Sequence, residues 1–440
     1  MKFPAGFTFG VATAAIQIEG ASDRRGASIW DTFAREPGRV ANGDTPEVAC
    51  DHYNRWEEDL DLMASLGVNA YRFSISWPRV LPSGRGKPNA DGVDFYKRLV
   101  HGLRARGIEP MATLYHWDLP QALHDAGGWP ARDTASRFAE YASLMFDALD
   151  GVTRWVTHNE PWVTAFLGHA YGTKAPGRTD WREALQVAHH VLLSHGLAVR
   201  AFRAAHEGSI GITLDFSPGL PMSESPADRA AAARWNAFRN RWFLDALLRG
   251  RYPQDLAGWF GETVGAFDVA PGDAELISEP IDFLGVNYYS RAVVGDNPND
   301  GPLALRHADA TLPVTGMGWE VAPDALYELL VGINREYGDV PIAITENGSA
   351  YDDVQSDGVV DDPERLAYLR EHLRAVARAT QAGVPVVGYF AWSLLDNFEW
   401  EHGYEKRFGL VYVDYPTQRR IPKQSALWYR DLIAAATMEA

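Results

Sequence analysis

Eight short apolar runs, separated by stretches of helical period, constrain this chain more than any other feature. The runs are FGVATA from Phe9, AYRFSIS from Ala70, PMATLYH from Pro110, RWVTHN from Arg154, SIGITLD from Ser209, DFLGVNYY from Asp282, PIAITEN from Pro341 and PVVGYFAW from Pro385. Each is nearly continuous in apolar, β-branched or aromatic residues, as strands buried on both faces are. Between them, residues 57–66, 94–106, 134–149, 181–206, 322–337 and 363–381 place apolar side chains at helical spacing. Thr134 is the expected N-cap of the third of these helices, and Pro363 suits the first turn of the last. Strand and helix alternating eight times is the pattern of a (β/α)8 barrel. The expected architecture is therefore a single barrel domain over residues 1–440, at 440/8 = 55 residues per unit. That is more than a minimal unit needs, so long insertions are expected, with 83–91 and 297–313 as the Gly-, Pro-, Asn- and Asp-rich candidates. A doubly wound open sheet is the alternative. It lacks support here because no Gly-rich dinucleotide turn follows the first run.

Barrels of this kind keep their chemistry at the C-terminal ends of the strands. Those positions hold Arg72, His116 and Trp117, then His158, Asn159 and Glu160, then Asn287, Tyr288 and Tyr289, then Glu346 and Asn347, and last Trp392 with Asp396, Glu399 and Trp400 shortly after. Two acids stand out. Glu346 follows an apolar run in ITENG, and Glu160 follows another in RWVTHNEPW. A buried unpaired carboxylate is costly, so each needs a reason to be there. Two facing carboxylates can cleave a glycosidic bond, one protonating the leaving oxygen and the other attacking the anomeric carbon or activating water. A separation of about 5–5.5 Å goes with retention and about 6.5–9.5 Å with inversion. The other reading has both acids pairing with arginines to hold loops. Arg72 is a partner for Glu346 on either reading, and an adjacent guanidinium lowers a carboxyl pKa and keeps it ionised.

The bulk composition excludes several classes. With 41 Lys and Arg against 58 Asp and Glu, the net charge is −17, which disfavours nucleic acid and anionic membranes as partners. The single cysteine, Cys50, permits no internal disulfide and no thiolate metal cluster, and reads as a buried structural thiol. MKFPAGFTFG interrupts any apolar signal core with Pro4 and Gly6, and no run reaches membrane-spanning length, so a cytoplasmic location is expected. His189, His190 and His195 lie on one helical pattern without a metal-binding spacing, and no metal is expected there.

Taken together, the motifs resemble glycoside hydrolase family 1, the β-glucosidase family. FTFGVATAAIQIEG, YRFSISWPR, TLYHWDLP, THNEPW, FLGVNYYS, ITENG and SLLDNFEWEHGYEKRFGLVYVDY all appear, in the family's order and over nearly the whole chain. The resemblance implies that Glu160 is the general acid/base and Glu346 the nucleophile of a retaining double displacement. It implies that Asn159 bonds the sugar 2-hydroxyl, and that Arg72 and Tyr289 position Glu346. Gln17, His116, Asn287, Trp392, Glu399 and Trp400 are implied to bind the sugar together with Asn159 and Tyr289. Trp77, Trp117 and Trp162 have no implied sugar contact and read as core, whereas Trp319 reads as either core or the lining of the aglycone side.

The chain departs from the family pattern in NEPWV, where a Cys often follows the Trp, and at Lys174, where a His is common. Relatives acting on 6-phosphorylated sugars replace Glu399 with Ser, so Glu399 implies an unphosphorylated glycone. Thioglucoside-cleaving relatives often replace the acid/base with Gln, so Glu160 implies O-glycosides. The expected substrate is a short β-glucoside such as a cello-oligosaccharide, with galactose or fucose as the alternative glycone. An inactive sugar-binding homologue would have lost one of the two acids, and a nicotinamide-dependent barrel reductase would need a phosphate site that is absent. No cofactor or metal is expected, and the oligomeric state is left open.

Overall fold

The computed structural model describes residues 1–438. Eight parallel strands close into a barrel: β1 Thr8–Ala12, β2 Ala70–Ser74, β3 Glu109–Tyr115, β4 Arg154–Asn159, β5 Ser209–Phe216, β6 Phe283–Tyr288, β7 Ile342–Asn347 and β8 Val386–Trp392. All eight coincide with the runs expected from sequence. Their residues are buried almost throughout, which is why the runs are apolar on both faces rather than alternating. Closure pairs β1 with both β2 and β8, so that Ala12 stands opposite Arg72 on one side and Trp392 on the other.

Register irregularities fall at the C-terminal ends of the two acid-bearing strands. β7 slips between Ile344 and Glu346 against β6, and between Ile344 and Asn347 against β8; β4 slips between Val156 and Asn159 against β5. Such bulges bend a strand and re-aim its last side chains. Here they turn Asn159, Glu160 and Glu346 across the barrel mouth.

The outer helices span His52–Ser65, Ala90–Ala105, Asp133–Ala148, Trp181–Ala205, Pro323–Tyr337 and Pro363–Gln381, close to the expected ranges. Asp180 caps the fourth by accepting from the Arg182 and Glu183 amides at 2.9 and 3.0 Å. Thr134 is not the cap expected of it. It sits inside its helix and donates its hydroxyl to the Gly128 carbonyl. The insertions also differ from expectation. The stretch between β5 and β6 carries helices Pro226–Asn236, Trp242–Arg249, Gln254–Thr263 and Asp273–Ile277, and residues 297–313 contain a short strand, Leu305–His307, paired to Ala292–Asp296. A final helix, Gln424–Met438, follows β8.

Trp77 is core as expected, stacked on Tyr141 at 4.9 Å. A buried charge network joins the chain after β7 to the chain after β8. Arg365 bonds Asp353 and Asp362 at 2.7 and 2.6 Å, Lys423 bonds Asp353 and Asp396 at 2.5 and 2.7 Å, and Arg407 bonds Asp396 at 2.7 Å. Lys423 is 0 % exposed, so its removal leaves two buried carboxylates short of a cation. We expect Lys423→Met to lower stability by about 3 kcal/mol in urea titration, at the low end for a broken buried pair because Arg365 and Arg407 remain. A loss within 0.5 kcal/mol of zero, the size of an ordinary surface substitution, would show the network to be energetically idle.

Candidate active site

Glu346 is held at both oxygens. Arg72 donates from Nη1 to Oε1 at 2.6 Å, and the Tyr289 hydroxyl donates to Oε2 at 2.6 Å. Arg72 is itself fixed, donating to the Thr345 carbonyl at 3.2 Å, to Thr113 Oγ1 at 3.2 Å and to Asn159 Oδ1 at 2.6 Å. Its side chain is fully buried in the barrel, which orients the guanidinium fork toward β7.

Glu160 has one side-chain partner, Asn287, whose Nδ2 donates to Oε1 at 2.6 Å. Its backbone takes φ 50°, a left-handed conformation unusual outside glycine, and its amide donates to the Thr213 carbonyl of β5 at 2.9 Å. Trp117 and Trp400 on the same mouth also have positive φ, 75° and 51°. Backbone strain of this kind collects where a surrounding framework holds functional side chains in place. Asn159 joins the two halves. Its Oδ1 accepts from Arg72 and from Asn287, the latter at 3.1 Å, and its Nδ2 donates to His116 Nε2 at 3.1 Å.

Burial is the largest influence on both acids and pushes both upward. Glu160 rises far, with the charges of Asp215 and Glu346 adding to the effect. Glu346 rises less, because Arg72 and Tyr289 stabilise its carboxylate. Arg72 lowers the Glu346 carboxyl as expected, but burial outweighs the arginine and the balance is upward. The two acids differ in their partners. The charged and phenolic donors favour ionisation of Glu346, and no comparable partner favours that of Glu160.

Both acids open onto a cavity of about 530 Å³ with His116, Asn287, Tyr289, Trp392, Glu399 and Trp400 in its wall. Arg72 and Asn159 are fully buried, and Gln17 lies under the loop after β8, donating to Asn397 Oδ1 at 3.0 Å and the Phe398 carbonyl at 2.8 Å. His116 stacks on Trp392 and Trp400 at 5.8 and 5.9 Å. Burial and nearby Arg72 keep its imidazole neutral. Gln17 Oε1, His116 Nδ1 and Glu399 Oε2 are buried with no protein partner, a polar set with hydrogen-bonding capacity to spare. The Glu399 carboxyl is pushed up to about 8, chiefly by burial, with Lys174 pulling it back.

Other strand-end residues point away. His158 faces the helices, with Nε2 2.8 Å from Ser194 Oγ and its ring against Phe138. The Tyr288 hydroxyl donates to the Ala322 carbonyl, Asn347 Nδ2 to the Tyr288 carbonyl, and Asp396 belongs to the charge network. Trp117 and Trp162, read as core, line the cavity, and so does Trp319. Trp117 donates to the Asn159 carbonyl at 2.9 Å. Lys174 forms an ion pair with Glu401 beside Glu399. Two further wall residues, Asp215 and Arg239, form an ion pair that sequence reasoning missed. The only available signal was the position of Asp215 at the end of a strand run.

Cys50 is buried, donating to the Asp396 carbonyl at 3.0 Å, and burial pushes its thiol far up. The three histidines are structural: His189 bonds Asp273 and Tyr252, His190 lies 2.9 Å from the Trp129 carbonyl, and His195 bonds Thr157. No cluster able to hold a metal occurs among the described residues, and no described helix is long and apolar enough to cross a membrane.

The sequence model of glycosyl hydrolase family 1 matches residues 1–438. The chain is 49% identical over 438 residues to the 1,4-β-D-glucan glucohydrolase of Thermotoga neapolitana, covering 98% of each chain. It is 48% identical over 463 residues to the bifunctional β-D-glucosidase/β-D-fucosidase of Bifidobacterium breve, covering 99% of this chain and 98% of that protein. The solved structure of the family 1 β-glucosidase from Thermotoga maritima superposes with a TM-score of 0.96 at 47% identity, over 99% of this chain and 98% of that one.

Proposed function

Since the chain belongs to glycosyl hydrolase family 1, we propose that it removes terminal β-D-glucosyl residues from short β-glucosides and cello-oligosaccharides with net retention. One observation carries the reading: the two acids border one cavity and are held differently. Glu346 accepts from the Arg72 guanidinium and the Tyr289 hydroxyl, donors that favour the ionised form a nucleophile needs, whereas the side-chain partner of Glu160 is the neutral Asn287 amide, which suits a proton donor.

In the first step Glu346 attacks the anomeric carbon while Glu160 delivers its proton to the leaving oxygen. The glycosyl–oxygen bond breaks as the ester to Glu346 forms. Glu160, now ionised, then takes a proton from water, which displaces Glu346 and restores both acids. Asn159, held by Arg72 and Asn287, offers its amide to the 2-hydroxyl. Gln17, His116 and Glu399 receive the remaining hydroxyls with the polar atoms left unpartnered, and Trp392 and Trp400 cover the ring.

An unphosphorylated glycone fits the surroundings of Glu399. Lys174 is committed to Glu401, and a phosphate would meet the buried Glu399 carboxyl and the half-buried Glu401 carboxylate rather than a free ammonium. Galactose or fucose in the same subsite is the second reading; for fucose it is favoured by the similarity to the bifunctional β-D-glucosidase/β-D-fucosidase of Bifidobacterium breve. The test is NMR of the first product formed from an aryl β-glucoside, run beside its 6-phosphate. The expected result is β-glucose before mutarotation and no measurable turnover of the phosphate. Initial α-glucose would overturn retention, and rapid turnover of the phosphate would overturn the glycone assignment.

A further inference from the structure

The wall beside Glu160 contains a charge pair that the mechanism above does not use. Asp215, one residue before the end of β5, is the strand partner of Asn287, the residue that holds Glu160. The Glu160 amide donates to the Thr213 carbonyl, two residues earlier on the same strand. Arg239, from the π-helical segment Ala237–Arg241, forms an ion pair with Asp215 and also donates to its carbonyl at 3.1 Å. Its guanidinium lies 3.8 Å from the ring centroid of Trp162, two residues after Glu160. The pair thus grips the Glu160 turn from two sides, through Asn287 and through Trp162, and all of these side chains border one cavity.

We propose that Asp215 and Arg239 are positioning residues that fix the Glu160 turn and set the charge around the acid. This rests on the reading of Glu160 as acid/base. Charged groups face Glu160 from several elements: Asp215 from β5, Arg239 from the π-helical segment, Glu346 from β7, and Arg72 from β2 through Asn159. The Tyr289 phenol and the neutral His116 imidazole complete the surroundings. Burial raises Glu160 most, and Asp215 is the next contributor, ahead of Glu346; Arg239 acts in the opposite sense and less strongly. Asp215 stays partly desolvated itself, compensated by Arg239. The balance of the pair on Glu160 is therefore negative, and neutralising each member has a predictable sign.

The test is the pH profile of kcat/KM on an alkyl β-glucoside, whose departure needs the proton. Asp215→Asn removes the negative charge and leaves Arg239, so the basic limb is expected to move down by about one pH unit. Asp215→Asn with Arg239→Met removes both charges, so its limb is expected between that of Asp215→Asn and wild type. A merely structural pair would lower kcat without this ordering. A limb unmoved in Asp215→Asn, or a double variant at or below the single, overturns the proposal. Should Asp215→Asn fail to fold with Arg239 unpaired, the double variant decides alone: its limb lies below wild type, or the proposal fails. Glu160→Gln measured alongside separates the two levels. If that variant keeps a basic limb, the acid/base reading fails. If it loses the limb while the Asp215 variants do not shift, only the role of the pair fails.

Discussion

Glu346→Gly is expected to lose turnover of an aryl β-glucoside by roughly 10⁴-fold or more, about 5.5 kcal/mol of transition-state stabilisation, and to regain it when azide is added. The variant removes the proposed nucleophile but leaves Arg72 and Tyr289, which then surround a space lined for an anion. Azide entering that space attacks the anomeric carbon from the side Glu346 used, while Glu160 still protonates the leaving group. Only one displacement then occurs, so the product is the α-glucosyl azide, identifiable by NMR. Near-wild-type hydrolysis would mean that Glu346 is only the buried salt-bridge partner of Arg72, and the mechanism proposed here would be wrong.

The second large effect is selective. Glu160→Gln keeps the shape of the side chain and a carbonyl to accept from Asn287, but has no proton to give. With a dinitrophenyl β-glucoside, whose leaving group departs unaided, formation of the glucosyl-enzyme is expected to stay close to wild type. With an alkyl β-glucoside or cellobiose the rate is expected to fall by about 10³–10⁴-fold, the upper range for general acid catalysis. Added azide should yield the β-glucosyl azide, formed from the trapped intermediate by a second displacement. The pH profile gives an independent check. On the proposed mechanism Glu160 must be protonated for bond cleavage, and burial and Asp215 raise its proton affinity, so activity is expected to fall on the basic side as Glu160 ionises. In Glu160→Gln the basic limb disappears. An equal loss on activated and unactivated substrates would show that Glu160 does not act as the acid.

The barrel was legible because its strands are buried on both faces. An apolar run such as ILE-ALA-ILE in β7 has no solvated side to alternate with, so it stands out from any surface strand. The helices between β5 and β6 were not legible. Pro226–Asn236 is alanine- and arginine-rich with only Ala231, Ala232, Trp235 and Asp228 buried, and its neighbours begin near Pro253 and Gly272, which read as breaks. Thr134 had the chemistry of a cap, but its hydroxyl found the Gly128 carbonyl instead, and local sequence does not reveal which of two nearby groups wins. At the site, residues within motifs were legible and residues paired across the fold were not. Glu160 and Glu346 each end a strand run. Asp215 gains its meaning from Arg239, 24 positions later on an unpredicted helical segment. The same holds for Lys174 and Glu401, 227 positions apart. Trp117 and Trp162 look like core residues by composition, and only their left-handed or strand-end placement brings them to the wall.

The loop that carries Glu399 and Trp400 is fastened at both ends of the chain. Gln17 donates to Asn397 and Phe398 across 380 and 381 positions, and Lys423 reaches Asp396 from the other side. All eight strands precede Lys423 in sequence, so the barrel can close while this loop still lacks one of its anchors. The sugar-binding surface around Glu399 is therefore expected to become rigid only after the barrel has formed, which makes glucoside turnover a late marker of folding.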